Sequence, residues 1–87
     1  MASYRLTFRR SAAKELEDLP DDIRSRVVAR VDSLAENPRP VGYEQLSGAK
    51  KYRIRQGDYR IVYAIDDRQS VVTVVKIGHR REVYRSS

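Results

Sequence analysis

The chain of 87 residues contains no cysteine, a single histidine and no long apolar run. Without cysteine it has no disulfide framework, and the usual cysteine-based zinc sites are excluded. Its apolar stretches, such as residues 71–75 with a threonine inside, are far too short to cross a bilayer. The N-terminal MASYRLTFRR lacks the apolar segment of a signal peptide. We therefore expect one cytoplasmic domain, residues 1–87, with a thin hydrophobic core.

Charge is unevenly distributed along the chain. Through residue 49, eight basic residues balance eight acidic ones, whereas from Lys50 onward ten basic residues accompany only four acidic ones. The whole formal net charge of +6, which is 10 − 4, therefore belongs to the C-terminal part. A basic surplus of this kind is typical of proteins that attract nucleic acid with one surface. The alternative is a generally basic protein without a polyanionic partner.

Periodicities in the N-terminal half predict one strand and two helices. Residues 4–8 alternate apolar and polar side chains, as in a half-buried strand. Ser11 is a candidate N-cap for a first helix, which Pro20 ends. Pro20 can equally begin a second helix, which ends before Pro38. The second helix should bury one apolar stripe, formed by Ile23, Val27, Val28, Val31 and Leu34.

The C-terminal half predicts three strands joined by short turns. After a connecting loop at residues 38–49, strands are expected at residues 51–55, 59–65 and 71–77. The order β-α-α-β-β-β predicts an α+β fold. It would consist of a small antiparallel sheet with a helical hairpin packed on one face.

The segment YRIRQGDYRIVY, residues 52–63, places arginines on one face of the predicted hairpin. Because side chains alternate along a strand, Arg53 and Arg55 point away from Ile54, and Arg60 follows the turn. Arginine stays charged at any relevant pH, and its planar fork fits phosphate oxygens. Polar residues are also normal on an open sheet face. The residues alone therefore leave two interpretations, a solvated surface or an anion site.

The C-terminal tail GHRREVYRSS contains further polar candidates. His79, Arg80 and Tyr84 follow a strand that should run beside the hairpin, from which they can approach the arginine face. By themselves, a lone histidine and one tyrosine of six are more often surface or packing residues. One histidine without cysteine argues against a catalytic zinc site. We expect no cofactor and no metal.

The segments YRIRQGDYRIVYAID and KIGHRREVYR resemble the RelE/ParE superfamily of bacterial and archaeal type II toxins. The stretch SAAKELEDLPDDIRSRVVARVDSLAENPRP is similar to the helical hairpin of that family, so the resemblance spans nearly the whole chain. It implies a toxin with a cognate RelB-like antitoxin as partner. In the RelE branch it implies an endonuclease that cuts mRNA on the 70S ribosome. That reaction needs no metal, because the 2′-hydroxyl of the RNA attacks the adjacent phosphate.

The resemblance also implies which residues act. Basic side chains on the two central strands, together with a basic residue and a tyrosine near the C-terminus, carry the activity of the family. The corresponding catalytic positions, with the neighbouring histidine, are Arg53, Arg55, Arg60, His79, Arg80 and Tyr84. RNA binding is expected of four further basic residues, Lys50, Lys51, Arg81 and Arg85.

The general base and the target stay open at this point. Well-known RelE members carry lysines in place of Arg53 and Arg55, but arginine does not act as a base. Tyr84 is therefore the favoured base, although it needs nearby cations to stabilise its phenolate, and His79 is its competitor. The alternative function is a ParE-like inhibitor of DNA gyrase without ribonuclease activity. A third is a non-enzymatic module that binds an acidic protein.

Overall fold

A computed structural model describes residues 3–46 and 50–79 of the chain. Their elements are β1 (Arg5–Phe8), α1 (Arg10–Glu17), α2 (Asp21–Glu36), β2 (Glu44–Leu46), β3 (Lys51–Gln56), β4 (Tyr59–Asp66) and β5 (Val71–His79). The strands form one sheet in the order β1-β5-β4-β3-β2. The predicted α+β fold, a small sheet with a helical hairpin, is confirmed. Neither helix in the described ranges is long and apolar enough to cross a membrane.

Two features of the sheet differ from the sequence prediction. The first strand pairs in parallel with β5, so the sheet is mixed rather than purely antiparallel. These strands lie far apart in the sequence, and no local pattern reports which distant strand becomes a neighbour. The short strand β2 lies inside the predicted loop and pairs antiparallel with residues 51–53 of β3. Three residues are too few to show a period, so this strand exists because of its partner.

Helix α1 begins one residue before the predicted cap. Its first residue is Arg10, and Arg9 occupies the N-cap position without a capping side-chain bond, so Ser11 lies in the first turn. The reason is the direct connection to the sheet. The Arg9 N–H donates a 3.0 Å hydrogen bond to the carbonyl of Val74, which holds Arg9 in extended geometry. Helix α2 follows Pro20 directly.

The hydrophobic core lies between the helices and one side of the sheet, which we call the helix side. Its largest fully buried side chains come from α2, β3, β4 and β5, and they are Tyr63, Leu34, Ile54, Ile61, Ile77, Val27, Val31, Val72 and Val74. The predicted stripe on α2 is largely confirmed. Val28 is the exception, because its side chain is 37% exposed. Consecutive helix residues point about 100° apart, and the sheet covers only the side occupied by Val27.

Tyr63 links the core to pH-dependent stability. Its hydroxyl donates a 2.7 Å hydrogen bond to the carbonyl of Pro38, and burial raises its pKa to about 12. Folding therefore disfavours the phenolate. The contribution of Tyr63 to the free energy of unfolding is fully present below pH ~10, the pKa of free tyrosine, and is lost as the pH rises through about 12.

We expect Tyr63→Phe to be less stable than the wild type below pH ~10 by about 1–3 kcal/mol, because the buried Pro38 carbonyl loses its donor. The difference should shrink between pH ~10 and ~12, where only the wild type must suppress an ionisation. Urea unfolding across this range measures it, with Tyr59→Phe as the control for a half-buried tyrosine of the same strand. A difference that stays constant up to pH ~12 would contradict the linkage.

Candidate functional site

Side chains of the central strands alternate between the helix side and the opposite side, which we call the outer face. Ile54 of β3 and Ile61 of β4 pack in the core on the helix side. Their neighbours Arg53, Arg55 and Arg60 therefore lie on the outer face. The structure thus brings the three arginines of the hairpin to one surface.

Arg55 and Arg60 lie directly opposite each other in the register of β3 and β4. The Cβ atoms of such cross-strand pairs are ~5 Å apart, and like charges in this arrangement destabilise a sheet. On the other side of Arg60, the opposite residue of β5 is Gly78, which contributes no side chain. An anion bound between the two guanidinium groups would replace their repulsion with two charge-assisted interactions.

The guanidinium of Arg60 is buried, and the residue as a whole is only 5% exposed. Its Nη1 donates to the carbonyls of Tyr59 at 3.3 Å and Gly57 at 3.5 Å. Its Nε is buried and finds no acceptor in the part of the chain that the structure describes. A buried charge with an unsatisfied donor is costly unless an anion pairs with it. This position therefore has the properties of an anion site.

Arg53 differs from the other two arginines because a carboxylate contacts it. Its Nη2 and Nε donate to Oε1 of Glu44 at 3.0 and 3.3 Å. Glu44 lies on β2 directly opposite Arg53, and the two side chains are 49% and 14% exposed. Glu44 is not identifiable from the sequence, because the residues around it predict a loop rather than the short strand that carries it. The only signal available was a lone acidic residue near the basic hairpin.

His79 lies on the helix side, away from the arginines. Its ring meets the ring of Tyr59 nearly edge-on, with centroids 5.6 Å apart, and both residues line a cavity beside α1. The expected approach of His79 to the arginine face is not observed. The cause is a β-bulge in β5, where Val75 has no partner between Val74 and the following residues. A bulge of one residue reverses the alternation, so His79 points to the helix side.

The residues predicted to bind RNA do not all lie on the outer face. Lys51 lies on the outer face, opposite Ala64 and two positions before Arg53. Lys50 instead lines a cavity of the helix side together with Tyr52, so it does not extend the arginine surface. The remaining predicted residues lie outside the described ranges, and they are Arg80, Arg81, Tyr84 and Arg85.

A second polar cluster provides a contrast, since its charges are paired. Nη1 and Nη2 of Arg39 donate to the two carboxylate oxygens of Asp67 at 3.2 and 2.9 Å, and the Tyr4 hydroxyl donates to Asp67 Oδ1 at 2.7 Å. These bonds, that from Arg39 above all, hold the pKa of Asp67 down at about 2. Within residues 3–46 and 50–79, no three His, Cys, Asp or Glu side chains are grouped as ligands for a metal ion.

Comparison with known proteins identifies the family. Residues 6–84 match the family described as the ParE toxin of the type II toxin–antitoxin system parDE. The chain is 33% identical over 86 residues to toxin RelG of Mycobacterium tuberculosis, covering 94% of this chain and 97% of RelG. It is 32% identical over 87 residues to the mRNA interferase toxin RelE of Escherichia coli, covering 94% of this chain and 90% of RelE.

The fold gives the same result. The structure aligns with a chain of the M. tuberculosis toxin–antitoxin complex RelBE2 at a TM-score of 0.79 and 30% identity, covering 90% of this chain and 99% of that chain. The sequence match and the structural match both extend over most of the chain. The protein therefore belongs to the RelE/ParE superfamily and is a RelE-like toxin of a type II toxin–antitoxin system.

Proposed function

We propose that the protein is a ribosome-dependent mRNA endonuclease whose outer arginines hold the scissile phosphodiester. The observation that carries this proposal is the buried Nε of Arg60, which has no acceptor among the described residues and lies opposite a second arginine. A phosphodiester supplies the missing negative charge and acceptor oxygens. The name of the E. coli relative, mRNA interferase toxin RelE, supports the same assignment.

In this reaction the 2′-oxygen of one nucleotide attacks its own 3′-phosphorus. The bond from phosphorus to the 5′-oxygen of the next nucleotide breaks, leaving a 2′,3′-cyclic phosphate and a free 5′-hydroxyl. Negative charge builds up on the non-bridging oxygens in the transition state. Arg55 and Arg60 project from paired strands, so they are oriented before the charge develops, and one such group is typically worth ~10²–10³ in rate.

Two proton transfers accompany the attack: the 2′-hydroxyl loses a proton, and the leaving 5′-oxygen gains one. Arginine cannot accept the proton of the 2′-hydroxyl. Tyr84 is the proton acceptor proposed from the sequence. The structure adds Glu44, whose half-exposed carboxylate contacts Arg53 at the margin of the same face. His79 is the weaker candidate because its ring contacts Tyr59 on the helix side. The pH–rate profiles of Tyr84→Phe and Glu44→Gln distinguish these two candidates, since loss of the base removes the rising limb of the profile.

We also propose a cognate antitoxin that neutralises the outer face. The relative in the RelBE2 structure occurs in a toxin–antitoxin complex. An acidic antitoxin segment would suit a chain whose surplus of six positive charges lies entirely after residue 49. Such a segment would satisfy the same donors that the phosphodiester uses, so that toxin bound to antitoxin does not bind RNA.

A ParE-like inhibitor of DNA gyrase is the second candidate. The description of the matching family names ParE, which favours this alternative. A phosphate-binding face alone does not require cleavage, because such a surface can also hold nucleic acid without reacting.

Mapping of mRNA ends separates the two functions. After brief induction, the nuclease proposal predicts new 5′ ends inside translated regions, and purified gyrase should supercoil plasmid normally in the presence of the protein. In a cell-free reaction, the same cuts should require ribosomes, because alignment of the 2′-hydroxyl is itself a large part of the rate. Inhibited supercoiling with intact mRNA would refute the nuclease proposal and support the alternative.

A further inference from the structure

Among residues 3–46 and 50–79, the second half of β5 has a neighbouring strand on only one side. Strand β1 pairs with residues 71–74 and then leads into α1, whereas β4 continues along β5 as far as His79. Residues 75–79 therefore form an edge, at which backbone N–H groups need other partners. Helix α1 packs against β5.

Glu15 of α1 supplies the missing partner. Its Oε1 accepts a 3.0 Å hydrogen bond from the backbone N–H of Ile77, and its Oε2 accepts a 3.1 Å bond from Nζ of Lys76. The side chains of Glu15 and Lys76 are only 31% and 29% exposed, so solvent screens them less than a surface ion pair. A carboxylate that accepts a backbone N–H forms a bond roughly twice as strong as a neutral one.

This bond lies next to the candidate phosphate site. Ile77 directly precedes Gly78, and Gly78 is buried on the outer face opposite Arg60. The bulge at Val75 interrupts the register of β5 with β4 just before this point. The ladder to β4 alone therefore constrains residues 76–79 less than an uninterrupted ladder would. Glu15 adds a fixed point on the other side of the strand.

We propose that Glu15 is a positioning residue for the phosphate site. By binding Ile77 N–H, it holds the end of β5 against β4 and sets the backbone of Gly78 directly opposite Arg60 in the strand register. It also sets the point from which the chain continues toward Arg80. This inference rests on the proposed nuclease function, and it assigns Glu15 an effect on rate that acts through Arg60 rather than through contact with RNA.

The test compares three variants in steady-state cleavage on ribosomes programmed with mRNA, well below the melting temperature. Glu15→Ala removes both bonds, and we expect kcat to fall by roughly 10–100-fold with KM within about twofold, since a small misplacement of a catalytic group has effects of this size. Glu15→Gln keeps an acceptor for the N–H of Ile77 and should lose less. Glu17→Ala, an exposed position on the same helix, is the matched control and should retain the wild-type rate.

Nuclear magnetic resonance can detect a change at Arg60 that would not occur if Glu15 only stabilised the fold. In the wild type, the amide proton of Ile77 should be protected from exchange. In folded Glu15→Ala it should lose protection, and the resonances of Gly78 N–H and Arg60 Nε–H should shift. A residue that only stabilises the fold would lower the melting temperature and leave kcat and the Arg60 resonance unchanged in the folded protein.

Arg60→Ala separates the two claims. If the wild type cuts mRNA and Arg60→Ala does not, while folded Glu15→Ala cuts at the wild-type rate, the positioning role is refuted and the nuclease function stands. If the wild type does not cut, or Arg60→Ala cuts equally well, the nuclease function itself fails. Should Glu15→Ala not fold, Glu15→Leu decides, because leucine fills more of the space than alanine but offers no acceptor to the N–H of Ile77. A reduced kcat with shifted Ile77 and Arg60 resonances supports the role, and wild-type values for both overturn it.

Discussion

Replacement of Arg60 by alanine is expected to reduce mRNA cleavage by roughly 10²–10³-fold, because a fixed cation is lost from the site of developing charge. Arg60→Lys keeps the charge but not the planar fork, so it should recover only part of the rate. Single-turnover cleavage on programmed ribosomes measures both variants. Arg68→Ala, an exposed arginine of the β4–β5 turn, is the matched control and should cut like the wild type.

For Arg60→Ala we do not expect a loss of stability to accompany the loss of activity. Arg60 is 5% exposed, its Nε has no acceptor among the described residues, and Arg55 lies directly opposite. Removing a buried, repelled charge should leave the free energy of unfolding unchanged or higher, and Arg60→Met, which fills more of the space, should be at least as stable as Arg60→Ala. If activity were lost only in proportion to folded protein, Arg60 would be structural and the anion site would be wrong.

Leu34→Ala in α2 is expected to have the largest effect on stability. Leu34 is fully buried between the helix and the sheet, so its truncation should lower the free energy of unfolding by about 2–5 kcal/mol. A domain of this size has a total stability of only ~5–10 kcal/mol, and each kcal/mol shifts the melting temperature by about 4–8 °C. Calorimetry or urea unfolding measures the loss, and the variant should be close to unfolding at physiological temperature.

Val28→Ala is the control on the same helix. Val28 is 37% exposed, and its truncation removes little buried area, so the loss should stay below about 1 kcal/mol. Equal losses for Leu34→Ala and Val28→Ala would mean that α2 packs on the sheet with a different stripe from the one described. The comparison therefore tests the orientation of the helix as well as its contribution to the core.

The arrangement of charges on the outer face explains why Arg60 should matter for activity but not for stability. A stable version of this fold would place apolar or oppositely charged residues at positions 55 and 60, and the chain places two arginines there. Glu44 compensates one cation of the face at Arg53, and Glu15 compensates Lys76, but Arg55 and Arg60 form no ion pair within residues 3–46 and 50–79. Retained electrostatic cost of this kind is typical of a site that awaits a ligand.

The sequence by itself determined the helical hairpin, the three long strands and the common face of Arg53 and Arg55, whereas the register of β3 and β4 placed Arg60 on that face. These follow from periods of 3.6 and 2 residues, which are properties of consecutive side chains and need no knowledge of the rest of the chain. The segments YRIRQGDYRIVYAID and KIGHRREVYR also indicated the family, and the family match over residues 6–84 confirms it.

The tertiary structure decided the contacts between residues that are distant in the sequence. Glu15 binds a backbone group 62 positions away, β1 pairs with β5, and β2 exists only because β3 lies beside it. The bulge at Val75 turned His79 away from the arginines, although its position in the sequence had placed it near them. Alternation is local and was predictable, whereas strand register, bulges and edge contacts result from competition among pairings across the whole chain.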